Sequence, residues 1–394
     1  GAGDAITNLL NLPGDAQAND PLLPGKLATP TNDLDTRAIT KLIKKQRGRP
    51  SLDTIAQLGG SDATERAIGA ALEWLARNQE GDGRWDMRKH GANGAYDTAG
   101  AGLALLCFYG WGEVHNKGGK YQATVQRALD WLIKQQKENG DLRGGGRMYC
   151  HGIAAIALCE AYGVTKDPKL REAAEKAISL ILASQSPSKG GWRYNPVNQN
   201  SQPSEDSDLS VTAWQYMALH SARLADLSVP DAAFTRARKY LSSVSSGKHG
   251  GLYAYTGGGP NPAMTASGMF CRQLDLVPPT DPRMPESAEY LGRHKLQQNP
   301  KYYYMYYATL ALYQHQGPVW HQWNEKLKEI LPLIQKKQGP ERGSWDPGGQ
   351  HARAGGRVVP PTLSVLSLEV YYRLLPMYGF RGAGDLPAAK EKAN

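Results

Sequence analysis

Asp206 and Asp208 stand two residues apart at the head of the apolar run LSVTAWQYMALHSA, and a carboxylate there has two uses. As an N-cap it accepts hydrogen bonds from the exposed amides of the first helical turn, and the positive end of the helix then favours its ionised form. As a proton donor it needs the opposite: burial and a nearby like charge, which Asp206 is placed to supply, holding the carboxyl neutral. Capping is the default reading. The sharper one makes Asp208 the acid, Asp206 its companion and His151 its hydrogen-bond partner.

Asp97, Cys150, His151 and Asp208 open three successive apolar segments, and carboxylate, thiolate and neutral imidazole all suit zinc. Neighbouring residues on one helix do not easily both ligate, so Cys150 and His151 are read as helix-end residues and no metal or other cofactor is assigned. Ring faces are the next resource. Tyr302, Tyr303, Tyr304, Tyr306 and Tyr307 head a fifth segment. With Tyr149 and Trp214 they are candidates to wall a cavity for an apolar ligand, and Asp97 is a candidate contact at its mouth. The glycine-rich stretch from Asp346 to Arg357 carries His351, Arg353 and Arg357, a possible basic lid for a diphosphate or carboxylate.

These residues need a frame, and the frame repeats. From Ser61 onward a one-sided helix, a glycine-rich turn and a helix of small apolar residues recur six times. The first members are expected at Asp62 to Asn78, Tyr121 to Gln136, Pro168 to Ser184, Asp231 to Val244, Glu286 to Gln297 and His321 to Lys337. The second members are expected to begin near Tyr96, Tyr149, Asp208, Met264, Tyr303 and Thr362, and are apolar around most of their circumference. Alternation of this kind predicts an all-α domain over 61–380, an α/α toroid of about six hairpins with an outer ring around an inner one. Extended structure is weakly signalled, at Tyr253 to Thr256 and Tyr302 to Tyr307.

Residues 1–60 read as an arm or linker with one basic amphipathic stretch from Leu34 to Gln46, and 381–394 as a tail. That stretch could rest on an anionic membrane surface. Arg47 to Pro50 reads as a helix end and turn rather than a minor-groove hook, so no nucleic-acid partner is expected. No apolar run approaches the roughly 20 residues that cross a bilayer. The formal charge of +9 comes from cations scattered among 37 acids, which serves solubility more than any single partner. The four cysteines form no CxxC pair and read as buried thiols. Twenty tyrosines and nine tryptophans against four phenylalanines suit a surface that is partly polar and partly ring-lined.

The turn Gln79-Glu80-Gly81-Asp82-Gly83-Arg84-Trp85 resembles the QxxxGxW repeat of squalene-hopene and oxidosqualene cyclases. Gln185 to Trp192 and Gln338 to Trp345 repeat it with one insertion, and Gln136 to Leu142 with leucine for tryptophan. The chain is thus similar to bacterial prenyltransferase and squalene-oxidase repeat proteins of the terpenoid cyclase and protein prenyltransferase superfamily. The resemblance implies a toroid, an isoprenoid or other apolar ligand, and a membrane-associated or extracytoplasmic bacterial setting with any anchor upstream. It also implies a proton donor in an acidic DxDD motif, here reduced to Asp206-Ser207-Asp208-Leu209. Cyclase activity is therefore doubtful, and an isomerase-type reaction is the only enzymatic reading the motif offers. Alternatives are a non-enzymatic toroid that binds a protein or glycan, a zinc prenyltransferase-like enzyme, and carbohydrate processing on paired carboxylates. The Gln-Gly-Trp turns weigh against the last.

Overall fold

The computed structural model describes residues 51–197, 202–348 and 354–373. After a short helix α1 (Leu52–Leu58), six outer helices are described: α2 (Asp62–Arg77), α4 (Gln122–Gln135), α6 (Pro168–Ala183), α8 (Asp231–Ser243), α10 (Arg283–Gly292) and α12 (Gly317–Ile334). They alternate with six inner ones: α3 (Asp97–Gly110), α5 (Met148–Thr165), α7 (Leu209–Leu224), α9 (Pro262–Leu274), α11 (Tyr302–His315) and α13 (Val359–Leu368). A last turn, α14 (Val370–Arg373), follows. The inner helices pack in chain order, and α13 returns to pack on α3, which closes the ring. The fold is the expected α/α toroid.

The two kinds of helix differ as their sequences require. Every residue from Thr98 to Phe108, from Met148 to Cys159 and from Leu209 to Leu219 is buried, so these segments tolerate small and apolar side chains and little else. Outer helices bury one stripe, as α4 does with Val125, Ala128, Leu129 and Leu132. Local signals fix several starts: Ser61 and Thr64 form a capping box on α2, and Asp167 caps α6 ahead of Pro168.

Four of the six turns between outer and inner helices staple an outer helix to the next one round the ring. Gln79 donates both amide hydrogens, to Gly83 O at 2.9 Å in its own turn and to Thr124 O at 2.9 Å on α4. Gln136 repeats this with Gly140 O and Ala173 O on α6, and Gln185 with Gly190 O and Ala233 O on α8. Gln335 donates to Gly343 O at 3.0 Å and to Ala67 O at 2.8 Å on α2, joining the last outer helix to the first. This corrects the sequence register of the sixth turn: the working glutamine is Gln335, whereas Gln338 is exposed. Each turn's glycine has a positive φ, 104° at Gly83 and 95° at Gly343, and lies against a carbonyl of the neighbouring helix where a Cβ would overlap. The tryptophans Trp85, Trp192 and Trp345 donate their indole N–H back to Leu75, Ile181 and Leu331 of the preceding helix.

Departures are local. Helices α10 and α12 begin three and four residues before the sequence expectation. At α12 the chain reverses through Gln316 (φ 62°) and Gly317 (φ 80°) without a loop, a conformation that a glutamine does not advertise. Tyr302 to Tyr307 is helical, while Leu252–Tyr253 pairs antiparallel with Ser245–Ser246 as a two-stranded ribbon, β1 and β2. Helix α1, in the expected arm, packs on α14 with Ile55 buried. The stretch Leu34 to Gln46, Arg47 to Pro50 and the tail lie outside the described residues. Among those described, no helix is long and apolar enough to cross a membrane.

Candidate functional site

All six inner helices begin at one end of the ring, so the turns above form a rim around its mouth. At this rim Asp208 sits in extended backbone (φ −135°, ψ 151°) as the N-cap of α7. Its Oδ1 accepts from Val211 N at 2.8 Å and from Ser210 Oγ at 2.6 Å, and its Oδ2 from Arg193 Nη1 at 2.9 Å. The side chain is fully buried. Burial pushes the carboxyl above its ordinary value, and Ser210, the Val211 amide and Arg193 pull against that. Asp206, half-exposed, is held below the usual range first by the hydrogen bond from Lys189, at 2.8 Å, and its other oxygen lies 3.6 Å from Arg193 Nε.

The Asp208 network extends into rings. Ser210 Oγ, its hydrogen committed to Asp208, accepts from the Tyr149 hydroxyl. Tyr303, from α11, two inner helices further round the ring, donates to Ser210 O at 3.4 Å. Arg193 Nη1 also donates to Tyr255 OH at 2.9 Å, and the Tyr255 and Tyr194 hydroxyls are hydrogen-bonded. The Arg193 guanidinium lies 4.4 Å from the Tyr194 ring centroid and that of Arg147 6.0 Å from it. Arg147 Nη1 donates to Asn195 Oδ1 at 3.1 Å. Sequence reasoning brought out Asp206, Asp208, Tyr149 and Tyr303 but missed Arg147, Arg193, Tyr194 and Tyr255. The first three of these lie directly before an inner helix or directly after Trp192, a position the repeat itself marks.

Other candidates go elsewhere. His151 does not meet Asp208: its Nδ1 accepts from Leu142 N at 3.1 Å and its Nε2 faces Ala177 O on α6 at 2.9 Å. Those partners fix the neutral tautomer, and burial takes the ring down to about 4. Asp97 accepts from Met87 N at 3.0 Å and Arg84 Nη1 at 3.1 Å, holding the first turn. Arg357 donates to Ser344, Trp345 O and Asp346, and Tyr302 donates to Asp346 O, so both fasten the sixth turn. His351 lies outside the described residues. Cys150 is buried and its thiol pushed up to about 11, chiefly by burial, which disfavours the thiolate a metal needs. Among the described residues no group of three His, Cys, Asp or Glu could hold a metal ion.

Below the rim the ring is packed. Trp214 of α7 stacks on Tyr306 of α11 with centroids 5.6 Å apart and planes 9° apart, and meets Tyr307 edge-on at 5.5 Å. Tyr307 OH donates to Met217 Sδ at 3.4 Å. Helices α7 and α11 are separated in the ring by α9, so these contacts reach across the interior of the ring. Trp214 is 3% exposed and Tyr306 and Tyr307 are 0%, which leaves no room for water against the two tyrosines.

No family profile matches the chain, and no curated protein matches it either. Solved structures do. An inactive variant of the alpha-1,6-mannanase GH76A of Salegentibacter sp. HEL1_6, in complex with alpha-1,6-mannotriose, is similar over 79% of this chain and 99% of its own, with a TM-score of 0.56 and 9% identity. The type II terpene cyclase MstE from Scytonema covers 80% and 99%, with a TM-score of 0.52 and 13% identity. An alpha-amylase from Clostridium perfringens covers 77% and 97%, with a TM-score of 0.54 and 10% identity. At such identities the likeness is one of fold: the chain has the α/α toroid that these glycan- and terpene-handling proteins share.

Proposed function

We propose that this chain is a binding toroid that takes a carbohydrate at the rim where Arg147, Tyr149, Arg193, Tyr194, Tyr255 and Tyr303 gather. The observation that carries this reading is the position of the partly exposed Tyr194, Tyr255 and Tyr303 and of the Arg147 and Arg193 guanidinium groups, with Tyr149 buried among them, over a packed centre. Rings offer a flat face to a sugar, and guanidinium and amide groups offer directional hydrogen bonds to its hydroxyls. The mannanase neighbour, solved with a bound mannotriose, gives the fold a precedent for sugar binding. Catalysis by Asp208 and Asp206 is disfavoured because one is sealed under Arg193 and the other paired with Lys189. An isoprenoid ligand, in contrast, calls for an open apolar centre, and Trp214, Tyr306 and Tyr307 occupy that space.

Affinity electrophoresis and calorimetry against a set of polysaccharides, with farnesyl diphosphate and squalene in parallel, test this. The expected result is saturable binding to at least one polysaccharide, weakened by Tyr194→Ala. Saturable binding of an isoprenoid with no polysaccharide binding would overturn it.

A further inference from the structure

Charge around the rim narrows the class of sugar. The cations of the turns are mostly neutralised in place: Arg84 by Asp82, Asp86 and Asp97, Arg143 by Asp141, Lys189 by Asp206, and Arg357 by Asp346 and Glu341. Arg193 is balanced by Asp208 at 2.9 Å. Among the described arginines of the turns, Arg88 and Arg147 have no acidic partner, and of the two it is Arg147 that lies on the face of a tyrosine: it contacts the neutral amide of Asn195 and the ring of Tyr194, and α5, which it precedes, carries no acid in its first turn. It is partly exposed, and only one nitrogen of its fork is engaged, by Asn195.

A planar fork with no acidic partner among the described residues, set against an aromatic ring, matches a carboxylate carried on a sugar. Neutral sugars would leave that charge unanswered. Building on the carbohydrate reading above, we infer that the ligand is an acidic glycan whose uronate carboxylate pairs with Arg147, while Tyr194 and Tyr255 meet the sugar ring. The balanced pair Arg193 and Asp208 holds Tyr255 in place and positions this platform without itself meeting the carboxylate.

The test compares polygalacturonate with a neutral α-mannan by calorimetry, on the full chain and on Arg147→Gln and Arg66→Gln. Arg66 lies on the outer wall between α2 and α12, in a groove with Ala63, Pro332 and Lys336, and serves as a control for unspecific attraction to a basic protein. Loss of one charge-assisted contact corresponds to about a tenfold or greater weakening. The expected result is that polygalacturonate binds more tightly than mannan, that Arg147→Gln loses about tenfold of that affinity, and that Arg66→Gln loses none. Thermal melts of both variants should match the parent. Equal affinity for mannan, an unchanged Arg147→Gln, or an equal loss in Arg66→Gln would overturn the inference and leave the carbohydrate reading standing. Binding of neither polysaccharide would overturn the inference, and the carbohydrate reading falls with it when the wider polysaccharide set also fails to bind.

Discussion

Replacing Gln335 by alanine tests the turn geometry most directly. The side chain is 5% exposed and its amide donates to Gly343 O and Ala67 O. Alanine strands both carbonyls. An acceptor left unsatisfied in a buried place costs about 1–3 kcal/mol. Because solvent reaches part of the seam, about 2–4 kcal/mol for the pair is the sensible total. In a domain of this size each kcal/mol lowers Tm by about 2 °C, so a drop of about 4–8 °C is expected. Gln338→Ala is the matched control, since Gln338 is exposed and such a change stays within about 0.5 kcal/mol. Differential scanning calorimetry of the three proteins decides. Equal shifts for Gln335→Ala and Gln338→Ala, or a larger one for Gln338→Ala, would refute the stapling argument and restore the register that the sequence spacing favours.

Three further outcomes are expected. Gly343→Ala should destabilise more than Gly339→Ala: both have positive φ, 95° and 72°, costing about 1–2 kcal/mol for any side chain, but only Gly343 lies against a carbonyl, that of Ala70. Equal melting shifts would contradict this. Trp214→Ala should cost about 3–5 kcal/mol in denaturant titrations and open space between α7 and α11; a cost under about 1 kcal/mol would mean that the centre is not packed as described. Burial depresses His151 and His315 to about 4 and His220 to about 3. The unfolded chain binds those protons near pH 6.5, so this stabilisation is complete above that pH and is lost as pH falls toward about 4. For His151 alone the loss is about 3 kcal/mol, and His151→Gln should flatten that part of the Tm profile; an unchanged slope would speak against a buried neutral ring.

The alternation of helices was legible because burial on all sides admits few side chains, and YCHGIAAIALCEAYG declares that condition wherever it stands. Helix boundaries set by caps, such as Ser61 and Asp167, were legible for the same local reason. What could not be read was anything decided by which neighbour a side chain faces. Spacing favours Gln338, and only the carbonyl of Ala67, 268 residues from Gln335, shows that Gln335 does the work. His151 and Asp208 both lie at inner-helix starts, yet His151 faces outward to α6 while Asp208 caps its own helix. The Gln-Gly-Trp turns weighed against carbohydrate in the sequence reading. In the structure they bind helix to helix, and they carry no information about a ligand.

The bond from Gln335 to Ala67 has an implication for how the protein comes apart. An open array of helical hairpins has two terminal units, each missing a neighbour, and frays from them. Here the sixth unit is fastened to the first, and α1 and α14, the ends of the described chain, also pack together. Thermal opening must therefore begin by breaking a joint that is supported from both sides, much as a barrel hoop resists where a cut strip would peel.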